Sequence, residues 1–157
     1  MRQSMNRRDV LRAAMAVTVA GAVPARAQEK PAIHIVKDPN CGCCTAWAQI
    51  LNDDGFAVTF EHSSEPALTR FKQRVGLPKN MASCHTAIVE GYAIEGHVPA
   101  AEIRRLLAER PDAVGLSVPG MPYGSPGMGP ESDRDAYSVY LVRRDGSVEV
   151  FSHYPAG

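Results

Sequence analysis

Three cysteines within four residues, Cys41-Gly42-Cys43-Cys44, constrain this chain more than any other feature. They lie between a β-rich stretch at 32–36 and a stretch at 43–54 with helical spacing. In the first, Ile33 and Ile35 share one face and His34 takes the other, after which Lys37-Asp38-Pro39-Asn40 reads as a turn. In the second, Cys44, Trp47, Ala48 and Leu51 fall at i, i+3, i+4 and i+7, so one helix face can be buried. The thiols therefore collect at a helix N-terminus, where the dipole and free amides favour thiolate over thiol. A fourth cysteine, Cys84, sits in Ser83-Cys84-His85-Thr86, just before another expected strand.

The elements that follow predict an α/β fold. Gly55 suits the end of the first helix, and 56–61 reads as a strand with Val58 and Phe60 inward. A second helix is expected over 65–75, with Ser64 to cap it, Pro66 in its first turn, and Gly76 and Pro78 to end it. Its apolar positions are Leu68, Phe71 and Val75. Short strands at 86–89 and 92–94 flank Glu90-Gly91, and a third helix runs from Pro99 through Ala100, Ile103, Leu106 and Leu107 to before Pro111. Strands at 138–142 and 147–151 surround Asp145-Gly146, a strong hairpin signal. The order β-α-β-α-β-β-α, then a long loop and a hairpin, is the layout of a thioredoxin-like mixed sheet with flanking helices and an added C-terminal hairpin.

The 157-residue length points to one folded domain, once an export leader is set aside. Residues 1–12 are basic, 13–23 are small and apolar, and Ala25-Arg26-Ala27 has the A-x-A form of a signal-peptidase site. The apolar run is too short to span a bilayer of roughly 30 Å, so no membrane span is expected after its removal. Arg7-Arg8 before that run resembles a twin-arginine signal; a basic n-region of the general secretory route is the alternative. Residues 1–27 are thus read as an export signal and 28–157 as the domain, placed in the periplasm. Removing the leader leaves 12 basic against 16 acidic side chains, which gives no basic patch of the kind nucleic acid requires.

Four cysteines in an exported chain first suggest two structural disulfides. Every pairing would leave two of Cys41, Cys43 and Cys44 bonded to each other. Adjacent or one-apart cysteines close only a tight ring, whereas disulfides prefer Cα separations near ~5.5 Å, so two inert bridges are disfavoured. Cys41 and Cys44 by themselves have the C-x-x-C separation of thiol–disulfide oxidoreductases. The other reading is soft-metal binding: clustered thiolates repel one another, a soft cation removes that cost, and sulfur ligands select Cu(I), Zn(II) or iron–sulfur clusters. Zinc usually takes separated ligand pairs. A compact three-cysteine turn plus one distant thiol can instead bridge several Cu(I) ions. Spacing alone leaves redox and metal chemistry both open.

The run Lys37-Asp38-Pro39-Asn40-Cys41-Gly42-Cys43-Cys44, with Gly76-Leu77-Pro78, Ser83-Cys84-His85-Thr86, Gly91-Tyr92, Glu95-Gly96-His97-Val98-Pro99 and the segment 120–128, resembles the DUF411 family. The likeness extends over nearly all of 28–157. It implies a periplasmic, thioredoxin-like protein of copper tolerance with its copper site at Cys41, Cys43, Cys44 and Cys84; the sulfur chemistry makes Cu(I), in a multinuclear site, the expected form. Three functions are compatible with it: copper binding with interconversion of copper oxidation states, thiol–disulfide exchange through Cys41 and Cys44, or a chaperone handing Cu(I) to an exporter. Copper ions and another periplasmic copper-handling protein are the partners it implies.

Several other residues are candidates around that site. His85 could ligate copper, orient a thiolate or carry a proton. His97, at a helix entrance, reads more readily as a capping or surface residue, and His34, His62 and His153 as structural. Residues 115–130 hold five glycines and four prolines, and are expected to form a loop closing over the site as a lid. Met121 and Met128 in that loop are accessory soft ligands in this reading. Trp47 is expected in the core, near enough to shield the cluster.

Overall fold

The computed structural model describes residues 30–157; the export-leader reading of 1–27 falls outside them. Seven strands form one mixed sheet: β1 (Ala32–Lys37), β2 (Ala57–His62), β3 (His85–Val89), β4 (Tyr92–Glu95), β5 (Gly115–Ser117), β6 (Tyr137–Val142) and β7 (Val148–Tyr154). Their order across the sheet is β2-β1-β3-β4-β5-β6-β7. Only β1/β2 and β4/β5 run parallel. Among the described residues three α-helices pack with it: α1 (Gly42–Asp53), α2 (Glu65–Arg74) and α3 (Ala100–Glu109).

Side-chain alternation divides the interior in two. Ile33 and Ile35 of β1, Ala87 and Val89 of β3 and Ile94 of β4 join Trp47 and Leu51 of α1 and Ile103 and Leu106 of α3 in the larger core. Intervening residues point the other way: Ala93 packs with Leu77, Met81 and Val142, and half-buried Ile88 lies against them. This period of two follows from the pleat, and it is why neighbouring strand residues serve different layers. Trp47 is fully buried in the larger core, and its Nε1 donates to the Val98 carbonyl at 2.8 Å. The indole thus has both its apolar area and its donor satisfied.

Three expectations need correction. Phe60 is exposed, because β2 is an edge strand; the buried aromatic there is Phe56, one residue before the strand begins. Residues 115–117 form β5 instead of opening the loop. That short strand pairs parallel with β4 and antiparallel with β6, so it attaches the terminal hairpin to the rest of the sheet. His97 is fully buried and is not a surface residue.

Strand register brings the chemistry to one end of the sheet. Lys37 at the end of β1 is opposite His85 at the start of β3, and Thr86 is opposite Glu95 at the end of β4. The turn into α1, the Ser83-Cys84 segment, His97 and the loop after β5 all leave the sheet at that end.

Candidate metal and thiol centre

Cys41 is the N-cap residue of α1, with extended backbone, and Cys43 and Cys44 occupy the first turn. Buried Lys37 holds the preceding turn, since its Nζ donates to the Asp38 carbonyl at 2.9 Å. Cys41 and Cys44 form a disulfide across a Cα separation of 5.5 Å. Two thiols are therefore free in this structure, Cys43 and Cys84. One helical turn brings i and i+3 to a separation that disulfides favour, so the pair at C-x-x-C spacing closes while the adjacent pairs do not.

The four sulfurs still converge, all lying within 4.8 Å of one another. Cys43 Sγ is 3.4 Å from Cys41 Sγ and 4.0 Å from Cys84 Sγ. Cys84 also belongs to a second group, because His85 Nδ1 and His97 Nε2 each lie 3.2 Å from its sulfur. The site is therefore a chain of sulfurs that ends in two imidazoles, with Cys84 as the joint.

Hydrogen bonding fixes the state of those imidazoles. His97 Nδ1 is 2.8 Å from the Pro126 carbonyl, which can only accept, so Nδ1 carries the proton and Nε2 presents its lone pair to Cys84. The tautomers that satisfy both sulfur contacts have His85 Nδ1–H donating to Sγ and Sγ–H donating to His97 Nε2. His85 Nε2 is then left buried without a partner. Burial depresses the pKa of His85 well below its ordinary value, reinforced by His97 and Lys72. Burial also lowers that of His97, against the contrary effect of the Pro126 carbonyl. Both rings are thus neutral at physiological pH, the state in which a histidine can act as a ligand. The Cys84 thiol is pushed up to about 12, first by burial and then by neighbouring Cys43.

Behind Cys84 lies a buried ion pair that sequence reading missed. Lys72 Nζ donates to Glu95 Oε1 at 2.5 Å and to Thr86 Oγ1 at 2.9 Å. Glu95 Oε1 also accepts from the Ser83 backbone N–H at 2.5 Å, and its Oε2 from Thr86 Oγ1 at 2.6 Å. The carboxylate therefore anchors the residue immediately before Cys84. Its sequence signal was slight: an acidic residue closing a short apolar strand.

Gly96 lets this network and His97 approach Cys84. At its φ of +72° a Cβ would come within 2.6 Å of Ser83 Cβ and 2.5 Å of the Val118 carbonyl, so only glycine fits between Glu95 and His97. His97 was undervalued because nothing local to Glu95-Gly96-His97-Val98 reveals this packing.

The loop after β5 lies over the start of α1. The Gly127 backbone is so close that a Cβ there would meet Trp47 N at 2.7 Å and the Cys43 carbonyl at 3.0 Å. Ser83 Oγ donates to the Gly120 carbonyl, closing the near side. The covering groups are backbone atoms of Gly120, Pro126 and Gly127. Met121 is exposed and Met128 half-buried. Trp47 shields the other side, its ring 4.3 Å from that of His85.

Soft sulfur and neutral imidazole together suit a soft d-block cation and leave hard, oxygen-seeking ions without a matching donor. Among the described residues, no helix is long and apolar enough to cross a membrane. The family described as a protein of unknown function, DUF411, matches residues 81–128, which carry Cys84, His85, His97 and most of the covering loop. No curated protein matches the chain. Two solved structures are similar throughout. Copper resistance protein CopG in form 1 is 45% identical over 82% of this chain and 100% of its own, with a TM-score of 0.76. Form 2 is 46% identical over 81% of this chain and 100% of its own, with a TM-score of 0.75. Identity at that level across the whole of the relative exceeds what fold likeness alone requires: the chain belongs to the DUF411 family, among the relatives of the copper resistance protein CopG.

Proposed function

We propose that this protein binds Cu(I) in the periplasm through Cys41, Cys43, Cys44 and Cys84 and serves copper tolerance. The single observation that carries the reading is the convergence of four sulfurs within 4.8 Å, with neutral imidazoles at the Cys84 end. Cys84 is the donor the two groups share, so several ions bridged by sulfur are the natural stoichiometry. His97, with its tautomer fixed by Pro126, is an accessory ligand in this reading, and so is His85 once its Nδ1, 3.2 Å from Cys84 Sγ, passes its proton to unpartnered Nε2. Met121 and Met128 are secondary: exposure of Met121 gives it no fixed place at the site.

Full thiolate ligation requires the Cys41–Cys44 bond to open, taking up two electrons and two protons to give two thiols. In the reverse direction two Cu(II) ions take up two electrons, each becoming Cu(I), as the two thiols close to the disulfide and release two protons. The disulfide beside a free Cys43 thiol at 3.4 Å therefore favours a second reading, interconversion of copper oxidation states or thiol–disulfide exchange at the same site. A chaperone passing Cu(I) to an export component would use the same donors.

Anaerobic purification, metal analysis and thiol counting test the first reading, in wild type and Cys84→Ser. Reduced wild type is expected to retain copper, and Cys84→Ser to lose most of it. Reduced wild type free of copper after exposure to Cu(I) would overturn the reading. Disulfide exchange with a model substrate in metal-free buffer would favour the second.

A further inference from the structure

Beside the sulfur cluster lies a cleft of about 500 Å³, within the range of small-molecule sites, and Cys84 forms part of its wall. One face of α2 lines it with Glu65, Leu68, Thr69, Lys72 and Gln73, spaced i, i+3, i+4, i+7 and i+8. At ~1.5 Å per residue, that face runs about 12 Å. Leu77 and Pro78 add apolar surface with Leu68.

The two ends of the cleft carry opposite charge. Ser63 N donates to the Lys37 carbonyl at 2.9 Å, which brings Asp38 beside the start of α2 and so beside Glu65. Lys79 follows the other end of the helix, after Leu77 N closes onto the Lys72 carbonyl at 3.0 Å. Among the described residues, neither Glu65 nor Lys79 has an ion-pair partner, whereas Lys72 is committed to Glu95. An inorganic anion would be repelled at the acidic end, and a wholly apolar ligand would leave both ends unmatched. A short chain with an ammonium at one end, a carboxylate at the other and methylenes between matches both ends and the floor. A thiol on that ligand would meet the one soft donor in the wall.

We propose that the cleft seats a small zwitterionic peptide thiol carrying Cu(I), and that Cys84 is where its copper enters the protein. The proposal rests on the copper-binding reading above. In the transfer, the bond from copper to the carrier sulfur breaks and a bond to Cys84 Sγ forms. The Cys84 proton leaves on the carrier sulfur, which departs as a thiol. Copper stays Cu(I) throughout, and no electron moves.

Two experiments on the reduced protein separate this proposal from its premise. The first titrates metal-free protein with the S-methylated tripeptide Gly-Cys-Gly, a zwitterion unable to bind copper as a thiolate, and follows backbone amides by NMR. Saturable shifts at Thr69, Gln73 and Lys79 are expected, weakened in Lys79→Glu and absent in Thr69→Trp, which fills the cleft. No saturable shift in wild type overturns the proposal whether or not the protein binds copper. The second compares uptake of Cu(I) from its complex with the tripeptide Gly-Cys-Gly with uptake from its acetonitrile complex. Lys79→Glu and Thr69→Trp should lower the ratio of the two rates by about tenfold, the loss expected of one charge-assisted contact. An unchanged ratio overturns the donor role of the cleft. Failure of wild type to take Cu(I) from either donor overturns the copper reading itself, and entry at Cys84 with it.

Discussion

Gly127→Ala is the sharpest perturbation of the cover over the site. Gly127 has a φ of +84°, and a Cβ there would meet Trp47 N at 2.7 Å, the Cys43 carbonyl at 3.0 Å and Trp47 Cα at 3.1 Å. All three atoms belong to the backbone of α1, so no side chain can rotate away. A left-handed conformation costs an L-residue ~1–2 kcal/mol, and overpacking against a fixed neighbour ~1–3 kcal/mol. Keeping the loop seated therefore costs about 2–5 kcal/mol. Lifting the loop relieves the clash but breaks the His97–Pro126 hydrogen bond, worth about 1 kcal/mol, and exposes apolar surface around Trp47. Either response loses at least ~2 kcal/mol, a fall of roughly 8 °C in Tm for a domain of this size. Thermal unfolding of reduced, metal-free protein measures the loss, while Trp47 fluorescence and limited proteolysis within 119–130 show whether the loop has lifted. A variant within about 2 °C of wild type, with unchanged fluorescence and cleavage, would refute the seating of this loop on α1.

Lys72→Met should destabilise by ~3–5 kcal/mol in urea denaturation, because it leaves the Glu95 carboxylate buried without its cation; Lys72→Met with Glu95→Leu should recover part of that. Folded His85 resists protonation whereas unfolded His85 takes a proton near its ordinary pKa of about 6.5, so the unfolded state binds more protons as pH falls below that value. Stability should therefore decline from pH 7 to 5.5 by up to ~1.4 kcal/mol per pH unit from this group, with a shallower slope in His85→Phe. With its pKa at about 12, Cys84 holds its proton at neutral pH, so Cu(I) uptake in weak buffer should release a proton that Cys84→Ser does not. His97→Ala should weaken Cu(I) binding about 10–100-fold in a chelator competition, the range for losing a group that orients a metal ligand, here Cys84.

Much of this architecture was legible because its signals are local. Cys44, Trp47, Ala48 and Leu51 mark the buried face of α1, and all four are buried. Asp145-Gly146 marks the turn between β6 and β7, and the alternation of Ile33 and Ile35 marks β1. β5 escaped because three residues cannot display a period of two, and neighbouring glycine and proline resemble a loop. Phe60 was misplaced because alternation fixes which residues share a face but not whether that face is covered. The disulfide was half visible in the spacing of Cys41 and Cys44. Its closure depends on α1 starting at Gly42, which sets the geometry of that turn. The roles of His97, Lys72 and Glu95 depend on strand register and on the passage at Gly96. Contacts across 13 to 23 residues carry them, and no local pattern announces such contacts.

The structure thus adds to the four-cysteine picture a disulfide, Cys41–Cys44, beside two free thiols, Cys43 and Cys84, the second of them in contact with two neutral imidazoles. Cys84 unites the two groups, and the central claim is that it holds Cu(I) together with the cysteines of α1. Copper K-edge absorption of the reduced protein loaded anaerobically with Cu(I) tests that claim most directly, in wild type and Cys84→Ser. The account predicts a Cu(I) edge with a first shell dominated by sulfur, and a loss of sulfur scattering and of bound copper in Cys84→Ser. A first shell of nitrogen or oxygen alone, or identical spectra and copper content in the two proteins, would contradict it.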